Sequence, residues 1–187
     1  MGEYNHDSYC GLYCGACDVL TAHKTGDKSK FASFWSNSTV KEFQEAQGLP
    51  YEEHDLQLKC HGCKSDTVFI NCRSCKIKTC AIDKAIEHCS DCTEYPCEIL
   101  IEHKKGERIL PHLREKEGNL ETIKRVGVNE WLEKQEKRWQ CPECQTTFSW
   151  YSNKCNGCGK DLKKNSFKFT WFNGFLLKMG FRHMKKK

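Results

Sequence analysis

The sequence predicts a small, metal-stapled, mainly α-helical protein, α+β overall, in which a helical cysteine-rich domain leads through a helix to a C-terminal zinc ribbon of short β-hairpins. Three observations predict this. Fifteen cysteines occur in 187 residues, most of them in CxxC pairs that aim two thiolates at one point. The hydrophobic fraction of 38% lies below the ~45–50% usual for a globular domain, so cohesion must come from bound metal or cross-links. Helical periodicity with capping residues recurs between the cysteine clusters.

Metal is favoured over disulfides. The start, MGEYNHDSYC, lacks a basic region followed by an apolar run, and the cysteine count is odd. His6 stands where a myristoylation signal requires Ser or Thr. The expected location is therefore cytoplasmic. The net charge of +5 belongs to the tail: residues 165–187 carry six Lys or Arg and no acid, which leaves the first 164 residues at −1. A uniformly basic nucleic-acid-binding body is excluded.

Residues 1–112 form the predicted cysteine-rich domain. YCGLYCGACDVL places Cys10, Cys14 and Cys17 at CxxxCxxC spacing. DVLTAHKT reads as a short helix ended by Gly26. In DKSKFASFWSNS, Phe31, Phe34 and Trp35 share one helical face, with Asp27 as N-cap. Thr39 and Glu42 signal the start of another helix by a capping-box pattern; Phe43 and Ala46 follow, and Gly48 and Pro50 end it. These aromatics are expected to pack on one another as the conventional core.

The stretch from Cys60 to Cys97 opens with Cys60 and Cys63 in KCHGCK. CRSCKIKTC (Cys72, Cys75, Cys80) and CSDCTEYPC (Cys89, Cys92, Cys97) then repeat one spacing at an offset of 17 residues. The segments that follow them, AIDKAIEH and EILIEHKK, look helical, so two knuckle-plus-helix units are predicted. Residues 113–139 are read as linker and helix. REKEGN is the polar linker, Leu120 and Ile123 lie on a short helix broken near Gly127, and a second helix from Asn129 carries Trp131, Leu132 and Trp139. Glu130 with Lys134 and Glu133 with Lys137 pair on its wet face.

Residues 140–162 carry the most specific pattern, CPECQTTFSWYSNKCNGC. Cys141, Cys144, Cys155 and Cys158 have zinc-ribbon spacing, Gly157 and Gly159 allow tight turns, and TTFSWY alternates like a strand. Structural zinc is the expectation, with a rubredoxin-like iron as the rival. Eleven thiols remain, one short of three four-ligand sites, and His61 and His88 are the nearest candidates for a missing ligand. CxxxCxxC is also the spacing of enzymes that bind a cluster and S-adenosylmethionine, but no run of alternating strands and helices follows to build their barrel. An iron-sulfur cluster on Cys10, Cys14 and Cys17 with a fourth thiolate stays open beside zinc. Nothing arranges a catalytic nucleophile, and no Gly-rich phosphate loop occurs.

The tail, residues 163–187, mixes Phe167, Phe169, Trp171, Phe172, Phe175, Leu176, Leu177, Met179 and Phe181 with its cations. It is too short and too charged to span a bilayer. It either folds back on the core, lies on a partner or anionic membrane surface, or binds nucleic acid.

CGLYCGAC, CHGC, CKIKTCAIDKAIEHCSDCTEYPC and GVNEWLEKQEKRWQCPECQTTFSWY together resemble a cysteine-rich prokaryotic family, domain of unknown function 3795, with a C-terminal zinc-ribbon-like module. The resemblance covers roughly residues 8–160. It implies a cytoplasmic bacterial or archaeal protein with metal-ligating cysteines at the quoted positions, and it implies no reaction. The expected role is a zinc-binding, non-catalytic binding or regulatory module with three or four Zn2+ sites and an unknown protein partner. The alternatives are an iron-sulfur redox or sensor protein and a nucleic-acid- or ribosome-associated protein acting through residues 165–187.

Overall fold

The computed structural model describes residues 3–184. Met1 and Gly2, and the tail cations Lys185, Lys186 and Lys187, lie outside the described residues. Helix α1 (Asp18–Thr25) starts at Cys17 and ends at Gly26 in the left-handed conformation, φ 80°. Helix α2 (Lys30–Phe34) is capped by Ser29 rather than Asp27, because the Ser29 hydroxyl accepts from the Ala32 N–H at 3.1 Å. Helix α3 (Asn37–Gln47) likewise begins at Ser36, one turn before the expected Thr39 cap, and stops at Gly48 as its sequence indicates.

Helices α4 (Ile70–Arg73), α5 (Lys76–Asp83) and α6 (Glu98–His103) occupy the cysteine-dense stretch. The two repeat copies differ. α5 starts at Cys75 and carries Cys80 within its body, whereas α6 starts only after Cys97. The helix expected after Cys80 stops at Asp83, and Ala85 turns the chain at φ 50°.

REKEGN is not a linker but the opening of α7 (Glu115–Val126), which a break at Gly127 separates from α8 (Val128–Arg138). Its polar residues are buried because they find partners. Asn119 Nδ2 donates to the Gly11 carbonyl at 2.8 Å, Gln135 Nε2 to Asn119 Oδ1 at 3.1 Å, and Trp139 Nε1 to Gln135 Oε1 at 3.2 Å. This buried chain fastens α7 and α8 to the first thiol loop, where each unpaired group would cost ~1–3 kcal/mol.

The expected β-hairpins are absent. Among the described residues no strand forms, and pairing is confined to isolated bridges, Gln140 with Thr147 and Lys154 with Asp161. The protein is mainly α; the α+β class and the zinc ribbon are overturned. TTFSWY starts a ladder but does not extend it. The bonds from the Phe148 N–H to the Trp139 carbonyl and from the Cys141 N–H to the Thr146 carbonyl, both 2.9 Å, make the Gln140–Thr147 bridge, but two residues on the Trp150 N–H turns to the Ala16 carbonyl at 2.8 Å. Phe148, Ser149, Trp150 and Tyr151 are all buried, where alternation would bury every second residue.

Aromatic rings make up much of the core. Trp35 is ringed by Phe31, Phe34, Phe43 and Phe69, with ring centroids 5.1–6.2 Å apart. Trp131, Trp139 and Tyr151 are fully enclosed. Much of the tail folds back on them. Phe169 packs on Phe31 at 5.0 Å, and helix α9 (Trp171–Met184) lays Phe181 against Trp35 and Phe43 at 6.0 and 4.9 Å. Trp171, Phe172 and Phe175 remain outside, 81, 55 and 46% exposed. Among the described residues no helix is long and apolar enough to cross a membrane.

His112 is buried on this core, stacked on Trp150 at 4.1 Å, with Nδ1 2.7 Å from the Tyr151 hydroxyl. Burial pushes its pKa down to about 3. In the unfolded chain the ring takes up a proton near pH 6.5, so the neutral ring's contribution is complete above that value and is lost as pH falls from 6.5 toward 3. Urea denaturation should therefore show stability declining below pH 6.5, with a shallower decline in His112→Gln. In the same assay Phe181→Ala should cost about 3–5 kcal/mol, and Trp171→Ala no more than about 0.5 kcal/mol.

Candidate metal centres

Two knuckles of one backbone shape follow α8. In each, the N–H of the residue four past the first cysteine bonds to that cysteine's carbonyl: Gln145 to Cys141 and Gly159 to Cys155, both at 2.8 Å. Both turn residues take positive φ, 60° and 75°. Each first cysteine donates its N–H to a carbonyl five residues on, Cys141 to Thr146 at 2.9 Å and Cys155 to Lys160 at 2.8 Å. Gly157 leaves no room for a side chain, since a Cβ would lie 2.5 Å from Thr146 Oγ1 and 3.2 Å from Cys144 Sγ.

The knuckles bring four sulfurs together. Those of Cys141, Cys144, Cys155 and Cys158 all lie within 4.8 Å of one another. Cys141 Sγ is 3.7 Å from Cys158 Sγ, and Cys144 Sγ is 3.4 Å from Cys155 Sγ. Thiolates placed tetrahedrally at 2.3 Å around one ion would stand about 3.8 Å apart. The four can therefore hold a metal ion. Cys144 is already biased toward the anion: the Thr146 hydroxyl, 3.3 Å from its sulfur, and the Thr146 N–H lower its pKa to about 6. Burial would raise the Cys141 thiol, but the N–H groups of Cys144 and Glu143 and the neighbouring thiols bring it below its ordinary value.

The eleven other thiols are packed more loosely, in a group of seven and a group of four that adjoin where Cys10 meets Cys89. Cys14 lies among Cys63, Cys17 and Cys60; Cys72 among Cys17, Cys60, Cys75 and Cys63; and Cys63 beside Cys10 and Cys75. Burial, then the charge of these neighbours, pushes the Cys14 and Cys72 thiols well above their ordinary values. Cys72 exposes much of its residue surface, but its thiol lies among the others. The remaining four, Cys80, Cys89, Cys92 and Cys97, line a single cavity. Among the described residues the C-terminal four are the one group of three or more metal-donor side chains whose ligand atoms all lie within 4.8 Å.

Neither candidate histidine joins a thiol group. His88 Nε2 lies 3.0 and 3.1 Å from the two carboxylate oxygens of Asp7, which also pairs with Lys64 at 2.6 Å. Burial would raise the Asp7 carboxyl, but the hydrogen bonds from His88 and Lys64 hold it below its usual value. His61 stacks on His23 at 5.2 Å and packs on Tyr4 at 4.8 Å.

The thiol-rich region also contains a cation that the sequence places in the polar linker REKEGN. Lys116 is 2% exposed, its Nζ is 2.9 Å from His103 Nδ1, and Cys10 and Cys75 are among the charges that act on it. Burial lowers its pKa. Asp18 is equally enclosed: it accepts from the hydroxyls of Ser29 and, at 2.7 Å, Ser149. Burial pushes its carboxyl up to about 6.

Residues 6–102 match the family described as "Protein of unknown function (DUF3795)". The chain belongs to this family. The match takes in all eleven N-terminal cysteines and stops before the C-terminal four-thiol group. No curated protein and no solved structure matches the chain.

The knuckle geometry predicts an asymmetry between its two glycines. Gly157→Val should weaken cobalt(II) binding, followed by its thiolate charge-transfer absorption, by about 10–100-fold, as loss of a ligand's supporting shell does. Gly159→Asn, at an open left-handed position that Asn tolerates, should bind within about threefold of the parent.

Proposed function

We propose that this chain is a non-catalytic metal-binding module in which Cys141, Cys144, Cys155 and Cys158 hold one structural zinc ion. The observation that carries this reading is the convergence of four sulfurs to van der Waals contact, 3.4 and 3.7 Å for two pairs. Four thiolates leave no open coordination position, which marks a structural rather than a catalytic site. Borderline-soft zinc suits an all-sulfur tetrahedron.

The ion's mechanical role follows from what the knuckles flank. Between Cys144 and Cys155 run Phe148, Trp150 and Tyr151, all in the core. Closing the two knuckles on one ion fixes both ends of this segment. The binding energy of such sites, ~10–16 kcal/mol in zinc-finger peptides, is of the order of a domain's whole stability. On this reading the partner-facing surface is the outer side of α9, where Trp171, Phe172 and Phe175 are exposed and Lys178 flanks the groove that Trp171 and Phe175 line.

Elemental analysis tests the ion. Full-length protein should carry zinc that Cys144→Ser/Cys158→Ser reduces by one equivalent, and chelation should change the fluorescence of the buried Trp139 and Trp150. Iron at this site, or zinc content unchanged in the double variant, would overturn the reading.

A further inference from the structure

The cavity between α5 and α6 differs from the C-terminal site in a way that bears on what fills it. Four thiols face it. Cys80 comes from the body of α5, Cys89 and Cys92 flank the single 3₁₀ turn Cys89–Asp91, and Cys97 stands before α6. Its volume is about 20 Å³, and Ile77, Ala81, Ile86 and Leu100 complete much of the wall. Lys84 reaches in from the end of α5, its Nζ 3.6 Å from Cys92 Sγ.

Sulfurs gripping one ion touch one another and leave nothing between them, as at Cys141, Cys144, Cys155 and Cys158. Here no three sulfurs lie within 4.8 Å of one another, and the space exceeds the ~10–15 Å³ that admits a water molecule. Water is a poor occupant, because it needs two to four polar partners and most of this wall is aliphatic. The wall suits a body that bonds to thiolate and otherwise presents a soft, weakly hydrated surface, and sulfurs that do not already converge suit one that spans more than a single ion. Iron atoms bridged by sulfide have these properties: they hold their terminal thiolates farther apart than a single ion does, and four cysteines are the usual ligand set.

We infer that Cys80, Cys89, Cys92 and Cys97 are the ligands of an iron-sulfur cluster seated in this cavity. The sequence pattern places a possible cluster instead on Cys10, Cys14 and Cys17; of these, Cys10 adjoins Cys89 at the edge of the cavity, while Cys14 and Cys17 lie with Cys60. The aliphatic wall would shield the sulfides on one side, and the Lys84 ammonium, paired with Glu94 at 2.7 Å, also reaches the Cys92 sulfur at the rim. The inference is independent of zinc at the C-terminal knuckles.

The test uses full-length protein produced with added iron and purified without air, assayed for iron and acid-labile sulfide and by visible absorption and Mössbauer spectroscopy. The parent should contain both elements. Cys89→Ser/Cys97→Ser should lose one cluster's complement of each while keeping its zinc, and Cys144→Ser/Cys158→Ser should do the reverse. Should the first variant fail to fold, Cys92→Ser, which offers oxygen for sulfur at one ligand, must still alter the Mössbauer parameters. Sulfide-free parent protein, undiminished iron and sulfide in Cys89→Ser/Cys97→Ser, or an unchanged spectrum in Cys92→Ser would each overturn the assignment.

Discussion

Thiolates repel, and their repulsion governs how closely this chain can gather its sulfur. Two unit charges 4 Å apart oppose each other by about 1 kcal/mol in water and about 4 kcal/mol near a protein surface. Four in mutual contact are tenable only as thiols or around a cation. At the C-terminal knuckles the backbone accepts that constraint and works against it. Backbone N–H groups act on the sulfurs, and one left-handed residue in each knuckle, Gln145 and Gly159, holds its pair in place. In the N-terminal half the sulfurs stand farther apart and burial keeps many of them protonated. One chain thus carries two solutions to the same electrostatic problem.

The two halves are joined by specific bonds as well as by oil. Trp150 donates its N–H to Ala16 within the first thiol loop. Two residues along, Asp18 collects the hydroxyls of Ser29 and Ser149 and so links α1, the cap of α2 and the loop between the knuckles. Asn119 binds the Gly11 carbonyl from α7. The loop bearing Cys10, Cys14 and Cys17 is therefore gripped from three later parts of the chain.

What the sequence disclosed followed from local physics. Gly26 and Gly48 end α1 and α3 because a left-handed residue is needed there and a glycine supplies it. The CxxC pairs of the last module meet because a knuckle is a local shape. Misreadings arose where a residue answers to a distant neighbour. Asn119 and Gln135 look like solvent-facing polars until each is seen to fill the other's hydrogen bond. Lys116 looks like part of a polar linker, yet it is enclosed beside His103. TTFSWY looks like a strand because its apolar spacing is compatible with one, but after a single bridge its Trp150 N–H is claimed by Ala16. The grouping of the eleven N-terminal thiols had no local signal at all, and the 17-residue repeat misled, since its two copies place their helices differently around the cysteines.

The resting place of Phe181 has a consequence for how the molecule is made. Trp35 and Phe43 leave the ribosome well over a hundred residues before the ring that covers them, and at ~5–20 residues per second their apolar face must wait some seconds bare. All fifteen cysteines are translated before the lid arrives, so cofactor delivery can precede closure, and a chaperone that shields the waiting aromatics would find its client open on the same side.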